Sequence, residues 1–294
     1  MLSYERDILA YPGYFGIRFR KREDSMRQNQ KLEHALQKVQ KPGRYVGGEL
    51  NAVVKDPSQV EVRFAFCFPD TYEIGMSHLG IKILYGAMNE IPYFWCERVF
   101  APWVDMEEEM RREGIPLYGL ESGDPVNQFD FIGFTLQYEL SYTNVLNMLE
   151  LAGIPLRSKD RPDLFNIVVG GGPCVCNPEP LADFFDLFFL GDGEEVDIEV
   201  MEIYRQCKKE RKSKLEFLEK AAQVEGVYVP AFYDVSYNPD GTVKEYIPTH
   251  GAPKTVKKRV IRDMNKAYYP KDFVVPLWSP NEDFLIYYPR EEGV

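Results

Sequence analysis

Histidine and cysteine are scarce in this chain, 3 and 5 of 294 residues. The cysteines (Cys67, Cys96, Cys174, Cys176, Cys207) are odd in number and scattered, which argues against a disulfide framework and for reduced thiols in a cytoplasmic protein. Cys174 and Cys176 form C-x-C with no second pair and no nearby histidine, too few ligands for a closed zinc site. The N-terminus lacks the charged-then-apolar pattern of a secretory signal. No run approaches the roughly 20 apolar residues a bilayer span needs; the most apolar run, Phe184 to Leu190, contains Asp186, so no membrane insertion is expected. Positive charge is also in deficit. With 35 Lys+Arg against 46 Asp+Glu the net charge is −11, so a nucleic-acid partner is not expected without a local basic patch. Neither G-x-G-x-x-G nor G-x-x-x-x-G-K-[ST] occurs. Asp70, Glu73, Glu139, Glu194 and Glu195 could act as acids or bases, but no Ser-His-Asp or Cys-His ordering emerges from them.

What is abundant is apolar and turn-forming. Hydrophobic residues make up 45% and aromatic residues 14% of the chain, alongside 22 Gly and 21 Pro, a composition that excludes a disordered chain or a coiled coil. Residues 1–44 read as a polar extension with a basic cluster (Arg18, Arg20, Lys21, Arg22) and a helix from Ser25 to Val39. A strand and helix series follows over residues 45–210. Strands are predicted at Glu61–Phe68, Phe94–Ala101, Pro116–Leu120, from Asp130, from Asn166 and from Leu187. Between them fall a helix capped by Ser77, one over Val104–Glu113 with an Asp105/Glu108 capping box and a stop at Gly114, and one over Leu140–Ala152. A last helix runs to about Cys207. This alternation predicts an α/β fold, a doubly wound and mostly parallel sheet with right-handed crossovers. Residues 211–275 read as a small α+β appendage, a short helix plus a hairpin turning at Asn238–Gly241. Residues 276–294 show no periodicity.

Ligands of open parallel sheets bind beyond the carboxyl ends of the strands. Glycines concentrate there: FPDTYEIGMSHLG after the first strand, GGGPCVCNPEP after the fifth and GDGEE after the sixth. Glycine at a strand end permits positive φ and close approach of backbone N–H groups to a ligand. The candidate binding residues are therefore Ser77, His78, Leu79 and Gly80 in the first loop. Gly170, Gly171, Gly172 and Pro173 are the candidates in the second, and Gly191, Gly193 and Glu194 in the third. The acids of GDGEE would repel an anionic phosphate. Tyr138, Tyr142 and Asn144 flank the exit of the fourth strand and could line the groove.

The strings KPGRYVGGELN, FPDTYEIGMSHLGIKILY, ERVFAPWVDMEEEM, GFTLQYELSYTNVLNML and GGGPCVCNPEPLADFFDLFFLGDGEE resemble the N-terminal part of a family of radical SAM proteins carrying a cobalamin-binding-like domain. The resemblance covers roughly residues 38–275. It implies a flavodoxin-like, Rossmann-like fold that holds cobalamin and works with a radical SAM barrel, in cis or in trans. In such a barrel a C-x-x-x-C-x-x-C loop carries a 4Fe-4S cluster with S-adenosylmethionine; that motif is absent here, so the chain alone is not expected to catalyse. The family's barrel should begin near Val294, which suggests a truncated product, a split gene or a frameshift. The cobalamin signature D-x-H-x-x-G is absent as well, since Asp70 and His78 stand eight apart. Radical SAM relatives commonly hold cobalamin without a protein axial base. The competing expectation is a ligand-free flavodoxin-like domain that docks a partner through exposed aromatics around Trp95, Trp103 and Trp278. An independent flavin- or nucleotide-binding enzyme is a third reading.

Overall fold

In a computed structural model, the structure describes residues 23–265, 267–276, 278–279 and 282–285. The basic cluster at Arg18–Arg22 and most of the tail beyond Pro276 lie outside the described residues. The series opens with α1 (Glu23–Leu36), β1 (Val62–Phe68), α2 (Tyr72–Ser77), α3 (Leu79–Asn89), β2 (Phe94–Phe100), α4 (Val104–Glu113), β3 (Phe131–Thr135) and α5 (Tyr142–Leu151). It continues through β4 (Ile167–Gly171), β5 (Leu187–Phe189), α6 (Gly193–Lys209), α7 (Lys214–Ala221), β6 (Val227–Tyr228), β7 (Tyr233–Tyr237) and β8 (Val243–Pro248). A short antiparallel pair follows, β9 (Trp278–Ser279) with β10 (Glu282–Leu285).

The main sheet has the order β2-β1-β3-β4-β5-β6. Its first five strands are parallel, in registers such as Phe64 beside Cys96 and Phe131, while β6 joins β5 antiparallel. This is the α/β, doubly wound arrangement expected, in the 2-1-3-4-5 order of flavodoxin-like sheets. The hairpin β7–β8 forms the separate small antiparallel sheet. Strands such as VRFAFCF are apolar apart from Arg63 because helices cover both faces. α3 and α6 lie together on one face; α4 and α5 are tied to each other by Arg111 on Glu150 and Asn147. Gly133 and Gly170 sit in mid-sheet, where a Cβ would strike Phe64 or Phe188.

Three local expectations fail. Pro116–Leu120 is not a strand: it makes one isolated bridge, Tyr118 to Pro125, because Pro116 has no N–H to give and Gly119 turns its N–H to Asp124 O. Leu120 N–H instead bonds Arg98 O on the outer edge of β2. The Asp105/Glu108 capping box does not form; Asp105 accepts from Met106 N and Gln40 N, and a capping box occurs at Ser213/Glu216 on α7. Ser77 does not cap α3, since its hydroxyl donates back to Ile74 O.

The N-terminal segment and a C-terminal strap close the module. Lys55 Nζ donates to Asn89 O, Ile91 O and Phe94 O at 2.7, 2.7 and 2.5 Å, supplying partners where α3 ends. Residues 258–275 run from the end of β5 across α3, where Tyr268 lies against Gly86, to an antiparallel bridge between Val275 and Leu50.

Asp197 is buried on α6. Burial, with Glu194 beside it, pushes its carboxyl up to about 8 from 3.8. The folded state therefore holds a proton that the unfolded chain releases. Stability from this group is complete below pH 3.8 and is lost as pH rises through 8, by up to about 1.4 kcal/mol per pH unit. Asp197→Asn is expected to flatten that slope and exceed the wild type in urea midpoint at the alkaline end. An unchanged slope would show that Asp197 ionises freely in place.

Candidate functional site

The switch point of this strand order lies between β1 and β3, where neighbouring loops leave in opposite directions. The loop after β1 is fixed from the β3 side. Tyr138 donates to Asp70 Oδ2, and this bond, more than its partial burial, raises the Tyr138 hydroxyl to about 12. Asn144 Nδ2 donates to Pro69 O at 3.0 Å, and Asp70 Oδ1 accepts from Thr71 N at 2.7 Å.

His78 occupies the N-cap position of α3. Its Nε2 lies 3.1 Å from Gln137 Oε1, while Gln137 Nε2 donates to Thr135 Oγ1. With Gln137 oriented this way, Nε2 donates to Gln137 Oε1. Nδ1 is buried without a partner, beside Gly80, where a Cβ would stand 3.2 Å from it. Phe68 packs on the imidazole at 5.5 Å. Leu79 points outward.

The loop after β4 joins the same cluster. Gly171 O accepts from Leu136 N at 2.7 Å, and Cys174 N donates to Leu136 O at 3.1 Å. Gly172 has φ +97°, and a side chain there would meet Leu136 O and Gln137. Gly170 serves packing against Phe185 and Phe188, whereas the Cβ position of Gly171 is open. Pro173 begins the 3-10 turn that carries Cys174 and Cys176. Burial pushes the Cys174 thiol up, with Glu139 adding to it.

The loop after β5 does not join this cluster. Gly191, at φ +109°, lies against the Arg259 backbone so closely that no side chain would fit. Arg259 N donates to Leu190 O at 2.8 Å and Asp192 N to Arg259 O at 3.1 Å. The Arg259 side chain pairs with Glu195 and Glu199 at 3.0 and 3.2 Å. Gly193 opens α6 against Leu84, and Glu194 is half-buried in its first turn, where a carboxylate suits the helix dipole.

The structure thus brings together Ser77–Gly80 and Gly171–Pro173 around Thr135, Gln137 and Tyr138. Gln137 was missed from the sequence, although its place directly after an apolar strand was the available signal. The segments that follow β1, β2 and β3 at this end of the sheet carry exposed apolar side chains: Ile74, Leu79, Trp103, Val104, Tyr138 and Leu140, the last 88% exposed. Of the tryptophans expected at an interface, only Trp103 fits. Trp95 is buried, its Nε1 donating to Val53 O and its ring under Arg63; the Trp278 side chain is outside the described residues.

Among the described residues, no group of three or more His, Cys, Asp or Glu could hold a metal ion, and no helix is long and apolar enough to cross a membrane. No solved structure matches the chain. An uncharacterized protein of Methanocaldococcus jannaschii is 31% identical over 143 residues, 48% of this chain and 26% of its own length; the chain therefore matches about a quarter of that relative. The family described as radical SAM proteins, N-terminal, matches residues 80–230, which run from α3 to the 3-10 turn after β6 and include the loops after β3, β4 and β5. With more than half of its residues in that match, the chain belongs to the N-terminal family of radical SAM proteins.

Proposed function

We infer that this chain is the cofactor-holding module of a cytoplasmic radical SAM enzyme, with a corrinoid such as cobalamin as the group held between the loops after β1, β3 and β4. The observation that carries this reading is the convergence of three strand-end loops at the switch point, with the Cβ position of Gly171 left open. Members of the full-length family use S-adenosylmethionine and a 4Fe-4S cluster. The residues here do not fit that cluster, because Cys67, Cys96 and Cys207 are buried and only Cys174 and Cys176 stand near each other in sequence. A corrinoid fits only without a protein axial base. His78 Nε2 is engaged by Gln137 and Nδ1 is sealed beside Gly80, so neither nitrogen is free to reach cobalt. When bound, the corrinoid would supply a cobalt centre for group transfer; the protein positions it and presents its outer face.

The exposed apolar side chains after β1, β2 and β3 support a second element of the reading, that this end of the sheet is covered by the radical SAM barrel. Six of them at one end of the sheet suit a protein partner better than water. They equally favour a ligand-free docking domain.

The test is gel filtration after incubation with hydroxocobalamin, followed by a UV-visible spectrum. Near one equivalent of retained corrinoid in the base-off form is expected, along with no 5′-deoxyadenosine from S-adenosylmethionine under reducing anaerobic conditions. No retention at high corrinoid concentration would leave the docking domain as the function. Gly171→Leu, which fills the open position, should reduce retention about tenfold or more by steric exclusion.

A further inference from the structure

The cysteines of this chain fall into two kinds. Cys67, Cys96 and Cys207 are buried, whereas Cys174 is partly exposed and Cys176 fully so. These last two share the 3-10 turn Pro173–Cys176, which follows Gly172 at φ +97°. Val175, between them, is 2% exposed and belongs to the core. Tyr142 faces the Cys174 sulfur, and the two thiols are near enough for the charge of one to act on the other.

The same turn ties one strand-end loop to the next. Cys174 N donates to Leu136 O at 3.1 Å, Val175 N to Gly172 O at 3.3 Å and Asn177 N to Cys174 O at 3.0 Å. The first of these bonds holds the loop after β4 against the exit of β3. A 3-10 turn advances roughly 120° per residue, so side chains two positions apart diverge. A disulfide needs its Cβ atoms about 3.5–4.5 Å apart. The two sulfurs can therefore join only if the turn opens, which strains the bonds around Cys174 and pulls on Val175. A disulfide formed against such resistance is readily reduced again, as suits a regulatory pair and not a structural one.

We propose that Cys174 and Cys176 form a reversible thiol pair, whose oxidation by a small-molecule disulfide opens the turn and releases the loop after β4 from Leu136. Cys176, the more exposed thiol, attacks first. Its thiolate bonds to one sulfur of the disulfide, the original S–S bond breaks, and the leaving thiolate takes up the proton that Cys176 has lost. The Cys174 thiolate then attacks the Cys176 sulfur and expels the second thiolate, which takes up the proton from Cys174. Two protein thiols are oxidised and one disulfide is reduced to two thiols. Nothing in this exchange requires a corrinoid at the strand ends.

The experiment equilibrates the full chain anaerobically in glutathione buffers of graded oxidised-to-reduced ratio, followed by acid quench, alkylation and peptide mass mapping. The peptide holding both cysteines should lose two hydrogens, with Cys67, Cys96 and Cys207 remaining reduced. Cys174→Ser should stop at a stable glutathione adduct on Cys176, and Cys176→Ser should react about tenfold or more slowly. On oxidation, amide exchange at residues 174, 175 and 177 should accelerate about tenfold or more, with β3 unchanged. Val175→Ala, which weakens the anchor, should move the half-oxidation ratio about threefold or more toward reducing buffer. A stable adduct on wild-type Cys176, or no reaction at either cysteine, overturns the pair. An internal disulfide with unchanged amide exchange overturns the opening of the turn. Oxidation that spreads to the buried cysteines, with exchange protection lost throughout, would overturn both by showing that the chain unfolds as a whole.

Discussion

Replacing Arg98 by methionine should lower the stability of the module by about 3–5 kcal/mol, the usual result of leaving buried carboxylates without their cation. Arg98 is 2% exposed and lies between two carboxylates with no exposed side-chain surface, bonding Glu49 at 2.7 Å and Glu121 at 2.6 Å. Its backbone N–H donates to the same Glu121, and Tyr72 donates to Glu49. The two acids respond differently. Burial pushes both upward, but Arg98 brings Glu49 below its ordinary value, whereas Glu121 stays raised. One guanidinium thus serves two carboxylates. In Arg98→Met both should take up protons, so the deficit should shrink toward acid pH. Adding Glu49→Gln and Glu121→Gln should recover most of the urea midpoint, since apolar or neutral replacement of a whole buried ionic group is far less costly than removing one member. If the single variant unfolds within about 1 kcal/mol of the wild type, water reaches the cluster and the pairing is not the main term.

The second large effect is expected at Asp186, which is buried at the start of β5 and accepts from Ser158 Oγ, Val168 N, Arg161 and Lys214. It joins the sheet to α7 and to the turn at Ser158–Asp160. Asp186→Ala leaves two buried cations facing each other. Burial already lowers the Lys214 ammonium despite Asp186, so the lysine can shed its proton, while Arg161 cannot. A loss of about 3–5 kcal/mol is expected. A double-mutant cycle with Lys214→Met should show strong coupling; additive losses would mean the two side chains act independently.

Legibility from sequence followed the range of the interactions. β1, β3, β4 and β5 were readable because a strand buried on both faces is largely apolar, as VRFAFCF is apart from Arg63 and as IVVGG is, and β2 was readable from its apolar ends although it carries Glu97 and Arg98. VYVP reads as part of the appendage's β segment, but the place of β6 beside β5 was not legible, since it is set by pairing with Phe188 and Phe189. Pro116–Leu120 misled because the run has strand-like composition but a proline and a glycine where ladder donors are required. The glycines cluster toward the strand ends, although Gly170 and Gly171, read as loop residues, belong to β4, and their purposes differ. Gly170 makes room for a ring, Gly171 leaves space, and Gly191 admits a backbone 68 residues further along the chain. Contacts of that separation leave no local trace, and Arg259 reads as one more cation in a charged run.

The bridge between Leu50 and Val275, with Asn51 Nδ2 on Phe273 O at 2.9 Å, places the incoming and outgoing chain side by side. Residues 50 and 275 thus run as neighbours, so a pull that separates them loads this bridge and its neighbouring bond first, while the segment before Leu50 stays anchored through α1 on α4 and Glu49 on Arg98.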